Sequence, residues 1–342
     1  MFIFYKLVFI STMCLGTIIT ISSFSWLGAW MGLEINLLSF IPLISMKNNP
    51  YSSEASIKYF LIQALASSVF LFSVILIISK SKMMNELFFL NKILFMMLNS
   101  SILLKLGAAP FHFWFPEIIE GMNWINSMIL MTFQKIAPMT ILSYSVKSNQ
   151  FILIIILMST FIGSIGGLNQ ISLRKILAYS SINHIGWMLS TFIINEMMWI
   201  TYFLIYSFLS LSIIMILNKF NIYLLKQMFL MISKNYLVKF FLVLNLLSLG
   251  GLPPFMGFFP KWMIIQSLSL NNFLLLMFMI MMTLITLFFY LRIAYSSIMI
   301  SNNEINFITI MNKNNFNNML INLTSFLSIN GLILYTIMIN FY

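Results

Sequence analysis

Four ionisable side chains stand in stretches that are otherwise apolar. Glu34 lies inside Trp26–Ser45, and Lys135 is near the centre of Asn123–Val146. Lys105 comes just before a Gly-Pro interruption, and Lys261 just after another. A charge at mid-depth in a bilayer costs about 2.5–3.5 kcal/mol on insertion scales, so it needs a partner, a water path or both. None of the four can easily reach water by extending its side chain. Desolvation and a neighbouring carboxylate pull a lysine's proton affinity in opposite directions, so moving a carboxylate can load or discharge it. Any one of these residues alone could be a structural ion pair. Four of them, spread over both halves of the chain, read as a series of proton-binding sites. The two histidines are candidate relay groups. His112 follows the first interruption and His184 is mid-span beside Asn183; the structural alternative for each is a histidine hydrogen-bonded within a bundle. Glu117 and Glu120 fall toward the end of their span and read as interfacial.

Other chemistries find no support. Cys14 is the single cysteine, which excludes an intrachain disulfide and a cysteine-ligated metal or iron–sulfur site. The chain has no dinucleotide fingerprint, phosphate-binding loop or H-E-x-x-H motif. No cofactor or metal is expected in it. The net charge of +11 comes without a basic run, so nucleic acid is not an expected partner.

The elements that carry these residues must be membrane helices. The chain is 61% hydrophobic and 7% charged, too few charges for a water-soluble surface. Eleven apolar segments are expected, at about 3–23, 26–45, 56–79, 88–121, 123–146, 150–168, 174–195, 197–218, 237–270, 272–298 and 319–341. The fold class is therefore all-α, a polytopic membrane helical bundle forming a single membrane domain over 1–342. Segments 88–121 and 237–270 would each make a helix of about 50 Å against an apolar core of about 30 Å. Each holds a helix-breaking cluster, Gly107 with Pro110 in one, and Gly250, Gly251, Pro253 and Pro254 in the other. Both helices are expected to break, although steep tilt could also absorb the length. Pro110-Phe111 through Phe115-Pro116 lines up with Pro254-Phe255 through Phe259-Pro260, a constant offset (254 − 110 = 144). That offset spans five segments, an odd number, so the second copy enters from the opposite side. The pattern predicts two inverted five-helix repeats, about 1–146 and 150–298, each with a broken helix, and a C-terminal helix at about 319–341. The Gly28/Gly32 and Gly163/Gly167 pairs predict close helix packing.

With eleven spans, one side of the membrane collects Lys6, Lys47, Lys58, Arg174, Lys175, Lys219, Lys226, Lys234, Lys239 and Lys313. The other side has Lys80, Lys82, Lys92 and Lys147, so the N-terminus is expected on the inner side. The 29 Met, and 16 Lys against Arg174 and Arg292 alone, fit an AT-rich gene read with a code in which AUA means Met, as in animal mitochondria. An uncleaved signal anchor from an AT-rich bacterium is the alternative.

Five stretches then carry a resemblance over essentially the whole chain. They are Trp26–Asn36, Leu104–Trp114, Gln134–Pro138, Ser180–Trp187 and Leu249–Phe255. Together they resemble the antiporter-like membrane subunits of NADH:ubiquinone oxidoreductase, respiratory complex I, in an insect-like, mitochondrially encoded form. The resemblance implies a core subunit of the proton-translocating arm, in the mitochondrial inner membrane. The N-terminus would be in the matrix and the C-terminus in the intermembrane space. It implies a subunit of an enzyme with no redox centre of its own; NADH, FMN, iron–sulfur clusters and ubiquinone would serve other chains. Its partners would be other membrane-arm and accessory subunits and inner-membrane lipids. By the resemblance, Glu34 and Lys105 match a carboxylate–lysine pair, Lys135 a central lysine, and Lys261 the lysine of the second broken helix. A stand-alone cation/proton exchanger and a structural membrane scaffold are the competing functions. Three lysines among four deep charges favour proton handling over cation binding, and a scaffold requires none of them.

Overall fold

A computed structural model describes residues 2–45, 49–81, 88–145, 150–195, 197–232, 236–299, 325–326 and 328–331. The expected span at 319–341 lies largely outside these residues, as do Lys47, Lys82, Lys147, Lys234 and Lys313. Among the described residues the chain is helical, with one isolated β-bridge, Ser172 to Leu224. The helices are α1 (Phe2–Ser22), α2 (Trp26–Ile44), α3 (Pro50–Ser81), α4 (Phe88–Leu106), α5 (Trp114–Gly121), α6 (Trp124–Met131), α7 (Phe133–Ser145), α8 (Gln150–Ile165), α9 (Leu173–Ile194), α10 (Met198–Phe220), α11 (Leu225–Ile232), α12 (Tyr236–Gly250), α13 (Phe258–Asn271) and α14 (Phe273–Met299). Five of them, α1, α2, α3, α10 and α14, are each long and apolar enough to cross a membrane. The chain divides into two compact units, Met1–Ser159 and Thr160–Tyr342.

In the first unit, α1 and α2 pack almost backbone to backbone. A Cβ on Gly32 would fall 2.5 Å from Thr20 Cγ2 and 2.8 Å from Gly16 O. Close packing thus involves Gly32, as its G-x-x-x-G spacing predicts, with Gly16 and Thr20 as its partners. Gly28 instead faces the Ser23 and Ser25 side chains of the turn. Helix α3 packs on α2, α4 and α5, and α7 on α1, α2 and α4.

The segment expected as one span at 123–146 is two helices. Thr132 leaves helical geometry at φ −115°, ψ −77°. Its Oγ1 donates to Met128 O at 2.7 Å, and Lys135 N–H reaches Thr132 O at 3.1 Å. Pro138 supplies the cause. Its ring crowds the Gln134 carbonyl and its missing N–H leaves that carbonyl free, and the helix yields just upstream of it, at Thr132.

In the second unit, α9 packs on α10, α13 and α14, and α12 on α10 and α14. A Cβ on Gly163 would fall 2.5 Å from Asn183 N, and one on Gly167 would fall 2.9 Å from Phe289 Cε1. Past α10, the described residues of the polar stretch at 218–239 fold locally. Asn221 closes α10 in the left-handed region at φ 51°. Gln227 Oε1 then accepts from Tyr223 N–H at 2.8 Å and Leu224 N–H at 3.1 Å, which starts α11.

Both expected interruptions break their helices, and the two breaks have the same backbone. Helix α4 stops at Leu106 and the chain resumes as α5 at Trp114; α12 stops at Gly250 and resumes as α13 at Phe258. Gly107 (φ +73°) and Gly251 (φ +82°) hold the same place one residue past the helix. Each position is one that a residue with a Cβ adopts only at a cost. Gly107 N–H bonds to Leu104 O at 3.2 Å, and Ala108 N–H to Leu103 O at 3.1 Å. Gly251 N–H bonds to Ser248 O at 3.0 Å, and Leu252 N–H to Leu247 O at 3.4 Å. This pair of bonds is the Schellman closure of a helix C-terminus. Past each turn, Phe115 N–H reaches His112 O at 3.0 Å, and Phe259 N–H reaches Met256 O at 3.3 Å. Every pair keeps the offset of 144 seen in the sequence.

Candidate functional site

The first break opens onto a small buried cavity of about 20 Å³, room for about one water. Lys105 and Lys135 both line it, together with Asn36, Tyr59, Gln63 and Gln134. Lys105 is 8% exposed and Lys135 2%. The break itself brings Lys105 here, because α4 ends one residue later and its last turn faces α3. The carbonyls freed at that helix end have neutral donors. Gln63 Nε2 reaches Lys105 O at 3.4 Å, and Trp114 Nε1 donates to Leu104 O at 3.1 Å. Lys135 Nζ lies 5.5 Å from the centre of the Phe115 ring, within cation–π range.

A network of uncharged groups joins the helices around the cavity. Gln134 Nε2 donates to Asn36 Oδ1 at 2.8 Å and contacts Met13 Sδ at 3.3 Å. Tyr59 Oη reaches Gln134 Oε1 at 3.4 Å. Tyr59 and Gln63 are one turn apart on α3, so that helix touches both the Lys135 helix and the Lys105 break.

Glu34 and Lys105, expected as a close pair, make no direct ion pair; both ion pairs among the described residues belong to Lys58. Glu34 is near enough to act on Lys105 electrostatically, and its Oε2 is buried without a hydrogen-bond partner. The reason is register. Leu33, Asn36 and Leu37 give α2 its stripe on the cavity. At about 100° per residue, position 34 falls beside that stripe rather than on it.

In the second unit, Lys261 is 6% exposed and caps its own break. Its Nζ donates to Gly250 O at 2.9 Å and lies 3.5 Å from Leu249 O. The negative end of a helix dipole holds an ammonium well. His184 is buried on α9, with Nδ1 2.8 Å from Tyr202 Oη and its ring 4.9 Å from that of Tyr206. A small void of about 10 Å³ beside it is lined by Leu249, Gly257 and Pro260, all at or next to the second break.

A model of the family described as NADH:quinone oxidoreductase/Mrp antiporter, TM, matches residues 23–286. The chain belongs to that family. It is 51% identical over 332 residues to the NADH-ubiquinone oxidoreductase chain 2 of Anopheles gambiae, covering 96% of each chain. It is 43% identical over 292 residues to the protein of the same name from Dugong dugon, covering 84% of each. Among solved structures, it is similar to a chain of respiratory complex I from Thermus thermophilus with bound aureothin. The TM-score is 0.84 at 22% identity, over 95% of this chain and 77% of that one. A chain of the Mrp complex from Dietzia sp. DQ12-45-1b gives 0.72 at 17% identity, over 83% and 59%.

Within this antiporter-like family member, the structure draws together only part of the expected residue set. Lys105 and Lys135 share one cavity, and Glu34 acts electrostatically on Lys105. Lys261 and His184 both lie near the second break. His112 is buried at the first break, with Nδ1 3.3 Å from Pro110 O and its ring 4.3 Å from that of Phe113. Glu117 forms an exposed ion pair with Lys58 at 3.0 Å, and Lys58 also holds Glu54 at 3.0 Å. Sequence reasoning did not single out Asn36, Tyr59 or Gln63. The signal that could have found the last two is their i, i+4 spacing on one apolar helix, which puts two polar groups on one face.

Proposed function

We propose that this chain is a membrane-arm subunit of NADH:ubiquinone oxidoreductase that carries protons across the mitochondrial inner membrane. Electrons pass from NADH to ubiquinone in other subunits, which hold the FMN and iron–sulfur clusters. The observation that carries the reading is the cavity shared by Lys105 and Lys135. Two buried lysines facing one water-sized space, ringed by amides and a phenol, can exchange a proton without either becoming an isolated charge. Glu34 biases that exchange through its electrostatic effect on Lys105. Lys261, held on the carbonyls of the second break, is the next proton-bearing site, with His112 and His184 as relay groups.

The same proposal includes eleven spans arranged as two inverted five-helix repeats, about 1–146 and 150–298, followed by a C-terminal helix. The recurrence of both Schellman closures at one offset supports it. The N-terminus would lie in the matrix and the C-terminus in the intermembrane space. Partners are other membrane-arm and accessory subunits and inner-membrane lipids.

The test is on Lys135. Lys135→Ala should impair proton uptake coupled to turnover while largely preserving assembly. Lys135→Arg should impair it as well, because a guanidinium hardly deprotonates. A purely structural lysine gives the opposite pattern, with Arg tolerated and Ala reducing assembly. Quinone reduction, proton uptake and assembled complex are measured together on both variants. Normal proton uptake per NADH in a fully assembled Lys135→Arg complex removes Lys135 from the relay.

A further inference from the structure

The buried middle of α9 carries a polar run, Ser180, Ser181, Asn183 and His184. Around it stand buried phenols, Tyr202 and Tyr206 on α10 and Tyr290 on α14. Toward α10, His184 Nδ1 lies 2.8 Å from Tyr202 Oη, and Tyr206 meets Ser181 with its ring 4.9 Å from that of His184. Toward α14, Tyr290 meets Ser180, and Asn183 Nδ2 reaches Thr286 Oγ1 at 3.5 Å. Ser180 and Asn183 are one turn apart on α9, as Thr286 and Tyr290 are on α14. The two contacts are therefore successive rungs between antiparallel helices. The phenols are near enough to act on one another electrostatically.

Tyr290 also touches the second break. A Cβ on Gly250 would fall 3.6 Å from Tyr290 Cδ2, nearer than any other side chain. Gly250 O is the carbonyl that holds Lys261 Nζ at 2.9 Å. The void beside His184 is lined by Leu249, Gly257 and Pro260 of the same break. Tyr290 thus joins the turn that Lys261 caps to the polar run of α9.

Its hydroxyl does nothing for stability where it lies. Tyr290 is 1% exposed. Its Oη acts on Ser180 at longer range but has no partner at hydrogen-bond geometry. Ser180 Oγ donates to Leu177 O at 2.8 Å, so only its lone pairs are left for the phenol. One rung along, Asn183 Oδ1 is likewise buried without a partner. Each such group has given up water and gained no bond in return. Phenylalanine would fill the same ring volume without that cost. A phenol, however, can accept a proton at its oxygen while donating its own.

We propose that Tyr290 passes protons between Lys261 and His184. A proton leaves the Lys261 ammonium for the Tyr290 oxygen as the phenol's own proton departs toward Tyr206, which exchanges its proton in the same way. An N–H bond of Lys261 breaks and one forms on the His184 imidazole; each phenol forms one O–H bond, breaks another and ends neutral. The inference deepens the proton-carrying reading above and rests on it. Tyr290→Phe, Lys261→Gln and the double variant are compared in the assembled complex by proton uptake per NADH and by thermal midpoint. Tyr290→Phe should lower uptake several-fold at an unchanged or raised midpoint, because it keeps the ring and removes an unpaired hydroxyl. The double variant should lose little more than Lys261→Gln alone, since both block one path. Normal uptake in Tyr290→Phe beside lowered uptake in Lys261→Gln overturns the role of Tyr290 and leaves the broader reading standing. Normal uptake in both removes that reading as well. Lowered uptake in Tyr290→Phe but not in Lys261→Gln, or additive losses in the double variant, breaks the link to Lys261 and overturns the proposal. A midpoint that falls together with uptake makes the hydroxyl structural and overturns it too. Should Tyr290→Phe not assemble, Ser180→Ala leaves every ring in place and is expected to give a smaller fall in uptake; unchanged uptake there decides against the proposal.

Discussion

The two helix breaks share a backbone but divide their side-chain duties differently. At the first, the freed carbonyls are served by Gln63 and Trp114, both neutral, and Lys105 is left to face the cavity. At the second, Lys261 itself bonds the carbonyls of Leu249 and Gly250. One break separates the structural cap from the cation; the other merges them in one residue. A proton taken from Lys261 would therefore weaken a helix cap, whereas one taken from Lys105 would leave its cap intact. The comparison teaches that an identical turn can hold a lysine in two ways, and only the second ties charge to local structure.

The largest expected effect tests that merger. Lys261→Gln keeps a donor for Gly250 O but removes the charge, so assembled complex should stay near its normal level while coupled proton uptake falls several-fold. Gln63→Leu should shift the balance the other way. It leaves Lys105 O without its donor and costs about 1 kcal/mol, the low end for an unmet buried acceptor, so assembled complex falls, and proton uptake in what assembles falls less than in Lys261→Gln. Assembly lost in Lys261→Gln and kept in Gln63→Leu would invert the comparison. Level of assembled complex and proton uptake per NADH are the two readouts.

Steric demand separates the breaks next. Gly257 lies against the Ser248 carbonyl so closely that a Cβ has no room, while Phe113, at the equivalent position, is 73% exposed. Gly257→Ala should destabilise by about 3 kcal/mol, the upper end of ordinary overpacking, and Phe113→Ala by far less. Thermal stability of the purified complex reads both. The left-handed glycines come after these. Gly251→Ala meets Lys261 Cδ at 2.9 Å and Nζ at 3.0 Å, and Gly107→Ala meets Phe115 Cβ at 3.2 Å. Backbone strain of about 1–2 kcal/mol is common to both. Gly251→Ala should add a fall in proton uptake, because it displaces the Lys261 ammonium. Equal proton uptake in the two glycine variants would show that Lys261 tolerates displacement.

Much of this was legible in the sequence because it breaks a local rule. Glycine and proline inside apolar runs violate helix propensity, and a deep charge violates hydropathy, so Gly107, Gly251, Lys105, Lys135 and Lys261 stand out without a structure. The cavity was not legible in the same way. Asn36, Tyr59 and Gln63 carry no charge, and a lone polar side chain in an apolar helix can bond its own backbone or water. Their meaning lies in convergence from α2 and α3, which is tertiary information. The bend at Thr132 was hidden for a related reason. Pro138 announces that a helix is weakened, but the neighbours decide where the slack is taken up. Register also explains why Glu34 misses a direct contact with Lys105, since the motif records that both residues occur and not which face each takes.

The smallest effect is expected where the comparison fails altogether. By the offset that aligns the breaks, the first-unit counterpart of Lys261 is Glu117. Lys261 is buried on its own helix end, but the Glu117 side chain is 58% exposed and holds Lys58, itself 42% exposed. That ion pair also includes Glu54, so Lys58 keeps a carboxylate when Glu117 loses its charge. Exposed pairs contribute little, and a shared cation contributes less still to either partner. Glu117→Gln should therefore leave assembly, quinone reduction and proton uptake unchanged. The backbone repeat would then be a repeat of fold without a repeat of chemistry at this position. A marked loss of proton uptake in an assembled Glu117→Gln complex would instead make Glu117 a proton-bearing group, and both breaks would carry chemistry at the same register.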